Sequence, residues 1–292
     1  MQHSTLTEQA RHWAVSQPEQ VWMRDLAESG ATEYTWGAAV AEIDRVAAWL
    51  EAAFGHGERM ALLSRNRAHW IMADMGIIHS GNVTVPLFTT HAQATAEYIL
   101  GFTDTKVLFL GETENWHSVK EVLPEGCVLI TLPGVGCDLP HTKWEDLVAA
   151  ASTEAPSYKP GPDDVVSLVF TSGTTGLPKG VIQTHDTNLI PMRRCQYLFT
   201  QREQPRWFSY LPLSHIAERQ IVEFSSINTG ARSGLTNRSR RWHGTFHNAG
   251  PTSFSVHPGF GSNSGNRLPP SLGAQRHWQQ RSQATKPGYR LW

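Results

Sequence analysis

The densest group of anion-holding residues in the chain is Thr171, Ser172, Gly173, Thr174, Thr175, Gly176, Leu177, Pro178, Lys179 and Gly180. Glycines let a backbone approach an anion closely, hydroxyls and backbone N–H groups donate to phosphate oxygens, and Lys179 adds a positive charge. Pro178 stiffens the exit. The run VVSLVF at 165–170 reads as a buried strand interrupted only by Ser167, as interior strands of parallel sheets do. A plain polar turn is the competing reading, and it accounts poorly for so dense a cluster directly after a buried strand. A Walker A loop is excluded. Counted from Gly173, Lys179 has the right offset, but Pro178 stands where the second glycine belongs and Gly180 where the magnesium-binding hydroxyl belongs.

Other chemistry finds less support. Cys127, Cys137 and Cys195 form no CxxC, and the 14 histidines form no HExxH, so nothing points to a zinc-type site or a disulfide framework. His215 opens a helical pattern, where a structural hydrogen bond and a role toward substrate are equally good readings. Glu218 and Arg219 read as an exposed or structural charged pair at one helix end.

The elements that must position these groups follow from hydrophobic spacing. Thr35 precedes Trp36, Val40, Ile43, Val46, Ala47, Leu50 and Phe54, a helical series with Thr35 as N-cap and Gly55 as stop. Apolar runs at 59–64, 83–87, 106–110, 127–132 and 165–170 read as strands. They alternate with helical patterns at 68–79, 95–102, 116–122 and 144–151. A proline-rich connector precedes the strand at 165. Residues 207–213 read as a further strand and 215–226 as a helix. The alternation predicts an α/β fold with a mostly parallel sheet and flanking helices.

The chain of 292 residues is 40% hydrophobic and 17% charged, with a formal net charge of −1. Evenly spread, that balance excludes a strongly basic nucleic-acid binder and an acidic disordered chain. It is not evenly spread. Residues 1–230 hold all 26 acids and 16 of the 25 Lys and Arg, whereas 231–292 hold nine basic residues and no acid. The latter stretch also lacks Ile and Met and is rich in Arg, Gly, Ser and Pro. Its five Leu and Val cannot offset the entropy of ordering it, so an irregular, unstructured tail is expected. The opening MQHSTLTEQARHW has no apolar signal-peptide core. The apolar run around 70–78, broken by Asp74, falls short of the ~20 residues of a membrane span. A cytoplasmic chain is expected.

From Phe170 to Val181 the chain reads FTSGTTGLPKGV. This resembles the signature loop of the adenylate-forming superfamily of acyl-CoA synthetases, luciferases and peptide-synthetase adenylation domains, and Thr184, His185 and Asn188 follow at the family's spacing. YLPLSHIAER, from Tyr210 to Arg219, is similar to the next superfamily motif in its long-chain acyl-CoA synthetase form, as is the stretch 58–88. The resemblance covers about residues 10 to 235 and implies the N-terminal part of the adenylate-forming fold.

The implied reaction is ATP-dependent activation of a long-chain fatty acid. The carboxylate attacks the α-phosphorus to give acyl-adenylate and pyrophosphate, and the thiol of coenzyme A then displaces AMP. ATP, Mg²⁺ and coenzyme A are the implied cofactors and co-substrates. The implied partners are these small molecules and the fatty acid, with no specific nucleic acid and with peripheral membrane contact through the lipid substrate. By the same resemblance, Thr171, Ser172, Gly173, Thr174, Thr175, Gly176 and Lys179 hold the β- and γ-phosphates. Thr171 helps carry Mg²⁺, and Lys179 and His215 are the catalytic residues, His215 near the acyl pocket and carboxylate.

Past Ala231 the sequence departs from the family. The Tyr-Gly-x-Thr-Glu motif, the ribose-binding aspartate and the lid lysine have no counterparts. The expectation is a partial AMP-binding domain over 1–231, inactive alone, followed by a basic tail over 232–292 translated out of frame. Two other classes stay open. One is a nucleotide-binding scaffold without turnover; the other is a tail that binds nucleic acid or acidic membrane, marked by steep salt dependence.

Overall fold

A computed structural model describes residues 5–27, 30–171, 177–199 and 206–236. The expected irregularity of the tail, and the nucleic-acid or membrane contacts weighed for it, fall on 237–292 and so lie outside the described residues. Thr5 caps α1 (Leu6–Ser16) in a capping box, accepting from Glu8 N while its own N–H donates to Glu8 Oε2. Two strands follow, β1 (Val21–Ala27) and β2 (Gly30–Thr35), and then α2 (Trp36–Phe54). Thr35 caps α2 through Ala38 N, and Gly55 ends it with φ of 72°, as the spacing predicts.

The α/β core alternates as expected: β3 (Arg59–Leu63), α3 (Ala68–His79), β4 (Val83–Leu87), α4 (Gln93–Phe102), β5 (Val107–Leu110), α5 (Trp116–Lys120), β6 (Val128–Thr131), β7 (Thr142–Lys143), α6 (Trp144–Ala150) and β8 (Val165–Thr171). Then come β9 (Lys179–Thr184), α7 (His185–Phe199), β10 (Arg206–Ser209), α8 (Ile216–Glu218), a π-helical turn (Arg219–Phe224), α9 (Ser225–Thr229) and β11 (Arg232–Leu235).

Among the described residues the strands form two sheets. Seven lie in the order β7-β6-β5-β3-β4-β8-β9, all parallel except β9. Alternation along β3 shows why the sheet is covered twice. Met60 and Leu62 join one core with Val107, Phe109 and Ile130, against α2 and α3. Ala61 and Leu63 join the other with Val85, Leu87 and Leu108, against α4. The smaller sheet runs β10-β11-β1-β2. Trp22 of β1 stacks on Trp36 at 4.0 Å between ring centroids and donates to Ser226 Oγ at 3.0 Å.

Three expectations are corrected. Residues 232–235, assigned to the tail by composition, pair in parallel with β1 on one side and β10 on the other, and Ser233 and Leu235 are buried. RSGL has no alternating hydrophobic pattern to announce a strand; backbone pairing on both sides makes it one. The strand expected over 207–213 ends at Ser209, and the helix expected over 215–226 is broken by the π turn.

Candidate active site

β8 does not simply open into a loop. It returns as β9, in an antiparallel pair that sets Thr171 opposite Lys179 and Phe170 opposite Gly180. The candidate phosphate loop thus closes a hairpin, and its two end residues, both exposed, are neighbours across the ladder. Ser172, Gly173, Thr174, Thr175 and Gly176 lie outside the described residues. Gly180 is glycine for a local reason: an added Cβ would sit 3.2 Å from the Phe170 ring, which packs edge-on against Phe102.

His185 and Asn188, which follow the hairpin, have structural work. His185 Nδ1 accepts from Leu6 N at 3.1 Å, pinning α1 to α7, and burial pushes its pKa down to about 4, so the ring is neutral. Asn188 Nδ2 donates to Thr184 O, while Asn188 Oδ1 accepts from Gln220 Nε2.

The second motif forms the passage from β10 into α8. Residue 215 caps α8: Ala217 N donates to His215 Nδ1 at 3.2 Å, so Nδ1 is the acceptor in this cap. The exposed ring meets the edge of Phe88, just past β4, at 6.3 Å. The structural role weighed for His215 is therefore present. Two buried side chains hold the turn that leads to it. Asn66, past the end of β3, donates from Nδ2 to Ser209 Oγ at 2.8 Å and to Leu211 O at 2.5 Å, and its Oδ1 accepts from Leu213 N at 2.9 Å. Glu218 Oε1 accepts from Tyr210 N at 2.8 Å and Leu211 N at 3.3 Å. Burial pushes Glu218 up to about 7 despite these hydrogen bonds.

Glu218 and Arg219 are neither exposed nor paired with each other. Adjacent helical residues point about 100° apart, and each finds its own partners. Arg219, fully buried in the π turn, donates to Asp74 Oδ2 of α3 at 2.5 Å and to Ser167 Oγ of β8 at 2.9 Å. It also donates to Glu223 Oε2 at 3.4 Å. Its guanidinium lies over the rings of Trp70 and Phe224, 5.5 and 5.0 Å from their centroids. Ser167 Oγ in turn donates to Thr84 O on β4. One guanidinium faces two fully buried carboxyls. Burial first, and then the Asp74 charge, push Glu223 well above the usual carboxyl range. A proton on Glu223 gives the adjoining Asp74 a donor, which accounts for the otherwise unpartnered Asp74 Oδ1 and Glu223 Oε1.

Arg219 thereby ties the strand that ends at Thr171 to the helical segment that begins at His215. Sequence reasoning missed Asn66, Asp74 and Glu223 as partners, and it read Glu218 and Arg219 as an exposed or structural pair where each is buried with partners of its own. The available signal was Asp74 standing inside the most apolar run of the chain. Among the described residues no three His, Cys, Asp or Glu gather as metal ligands, and no helix is long and apolar enough to cross a membrane.

Among curated proteins the chain is 28% identical to a peroxisomal long chain acyl-CoA synthetase 6 of Arabidopsis thaliana, over 56% of this chain and 25% of that protein. It is 30% identical to fatty acyl-CoA synthetase A of Dictyostelium discoideum, over 60% and 28%. It therefore spans about a quarter of the length of these relatives. Among solved structures the fold matches the anthranilate CoA ligase AuaEII in complex with anthranoyl-AMP, with TM-score 0.76 and 20% identity over 86% of this chain and 49% of that one. It also matches an acetoacetyl-CoA synthetase from Streptomyces lividans, with TM-score 0.71 and 22% identity over 80% and 38%. The family model described as AMP-binding enzyme matches residues 10–270, beyond the composition break at 231. With most of its length matched, the chain belongs to the AMP-binding enzyme family.

Proposed function

We propose that this chain holds the triphosphate of Mg·ATP for the activation of a long-chain fatty acid, as part of an AMP-forming fatty-acid–CoA ligase. The observation that carries the reading is the β8–β9 hairpin, with Thr171 facing Lys179 at the mouth of a loop rich in glycine and hydroxyls. The acyl-CoA synthetase names of the relatives support the substrate class. Attack of a carboxylate on the α-phosphorus crowds negative charge between two anions, and Lys179 with the N–H and hydroxyl donors of 171–176 meets that need. Mg²⁺ keeps several waters and takes few protein ligands beside phosphate oxygens. A single hydroxyl, that of Thr171, fits this demand. His215, with its ring held by the α8 cap and Phe88, is the contact for the substrate carboxylate. Coenzyme A is the acceptor of the second step.

No acidic residue follows Glu223, so that stretch supplies neither the magnesium-binding glutamate nor the ribose aspartate of the family. The 292-residue chain accordingly binds the triphosphate without turnover. The composition of 237–292 is that of a gene read out of frame, and an unbroken frame on resequencing overturns this. The test of function is pyrophosphate release with and without palmitate. The chain as written releases none above background, and restoring the downstream frame brings back palmitate-dependent release. Robust palmitate-dependent release by the 292-residue chain refutes the assignment of inactivity.

A further inference from the structure

The turn between β10 and α8 is irregular backbone carried into the protein interior, where Leu213 and Ser214 are buried. Buried N–H and C=O groups outside regular structure need partners, and here two side chains from separate elements supply them. Asn66 commits both ends of its amide to the turn, and Glu218 reaches back from α8 to accept from Tyr210 N and Leu211 N. Ser209, fully buried, joins the two, accepting from Asn66 Nδ2 and hydrogen-bonding Glu218. The segment so held ends at His215, whose ring is fixed by the Ala217 N–H and the edge of Phe88.

We propose that Glu218 and Asn66 are positioning residues for His215: clamping the 210–214 turn from two separate elements, they fix where the imidazole stands at the carboxylate end of the site. The inference rests on the proposed role of His215 for its functional consequence and on the hydrogen bonds alone for its structural part. Arg219, next to Glu218, serves the other half of the site through Ser167. Adjacent residues on one helical segment thus secure the carboxylate side and the phosphate side separately.

The test uses the full chain, with palmitate and Mg·ATP as ligands and histidine side-chain NMR as an independent readout. Glu218→Ala leaves the two partly buried amides of Tyr210 and Leu211 without their acceptor. It lowers palmitate affinity about tenfold or more, shifts the His215 ring resonances, and leaves Mg·ATP affinity within about twofold. Glu218→Gln keeps an acceptor oxygen and stays within about threefold of the unmutated protein for both ligands. In the unmutated protein the amides of Tyr210 and Leu211 exchange slowly with solvent deuterium. Unchanged palmitate affinity and His215 resonances in Glu218→Ala overturn the proposal, as does an equal loss of both ligands. Fast exchange at Tyr210 and Leu211 overturns it too, and this reading, with Glu218→Gln, decides the matter if Glu218→Ala does not fold. If the unmutated chain binds no palmitate, the proposed function fails, while the resonances and exchange rates still decide the positioning.

Discussion

The Asp74–Arg219–Glu223 cluster makes an asymmetric prediction about two carboxyls that look equivalent. Both are fully buried and both touch the same guanidinium. Asp74 stands 2.5 Å from Arg219 and Glu223 3.4 Å, and burial pushes Glu223 toward its protonated form, so the isosteric amide should cost more at Asp74 than at Glu223. Asp74→Asn removes the nearer of the two carboxyls and leaves Arg219 only the longer contact to Glu223, a loss of up to about 3–5 kcal/mol. Against a total stability of about 5–15 kcal/mol this is a large fraction. For a folded unit of this size it lowers Tm by about 6–20 °C. Glu223→Gln replaces a carboxyl that burial pushes toward its protonated form by an amide that still accepts from Arg219 Nε and can donate to Asp74, for a cost of about 1 kcal/mol. Urea unfolding of the two variants beside the unmutated chain measures both numbers. Equal losses at the two positions, or a milder loss for Asp74→Asn than for Glu223→Gln, refute this asymmetry.

Burial alone would raise Asp44, but the hydrogen bonds and charges of His79 and Arg11 hold it at about 2. Its stabilisation is therefore present above about pH 3.8 and lost as pH falls through 2. The loss is about 2 kcal/mol, seen as an acid-side slope in urea midpoints that Asp44→Asn abolishes. Glu218 has the opposite sign. With its folded pKa raised from 4.5 to about 7, its contribution is full below pH 4.5 and declines as pH rises through 7, by at most about 3 kcal/mol; Glu218→Gln flattens that decline. Lys179 is exposed, so Lys179→Ala changes the unfolding midpoint little, within about 0.5 kcal/mol. It weakens Mg·ATP binding about tenfold or more by calorimetry, as loss of a charge-assisted contact requires.

The fold was legible where burial is uniform. α3 and β4 are read to the residue because nearly every side chain in them is buried, and α2 because Thr35 and Gly55 mark its ends chemically. β9 escaped because KGVIQT lies at the sheet edge, with Val181 and Ile182 exposed, so no alternating pattern is imposed on it. α7 is obscured by Pro191 in its interior. At the site, the composition of the loop carries the proposal of anion binding, but not the pairing of Thr171 and Lys179 across a hairpin. The buried cluster was illegible for a different reason. Arg219 lies 145 positions from Asp74 and 52 from Ser167, so only the folded chain brings them together, and the adjacent Glu218 imitated a surface ion pair.

The central claim is that this chain grips the phosphates of a nucleotide rather than its base and ribose. Calorimetric titration of the 292-residue chain with Mg·ATP, Mg·tripolyphosphate and AMP tests it most directly. Tripolyphosphate is predicted to bind within about threefold of ATP, a difference under 1 kcal/mol, with AMP showing no measurable heat at millimolar concentration. Binding of AMP as tight as that of ATP, with none of tripolyphosphate, would contradict the account.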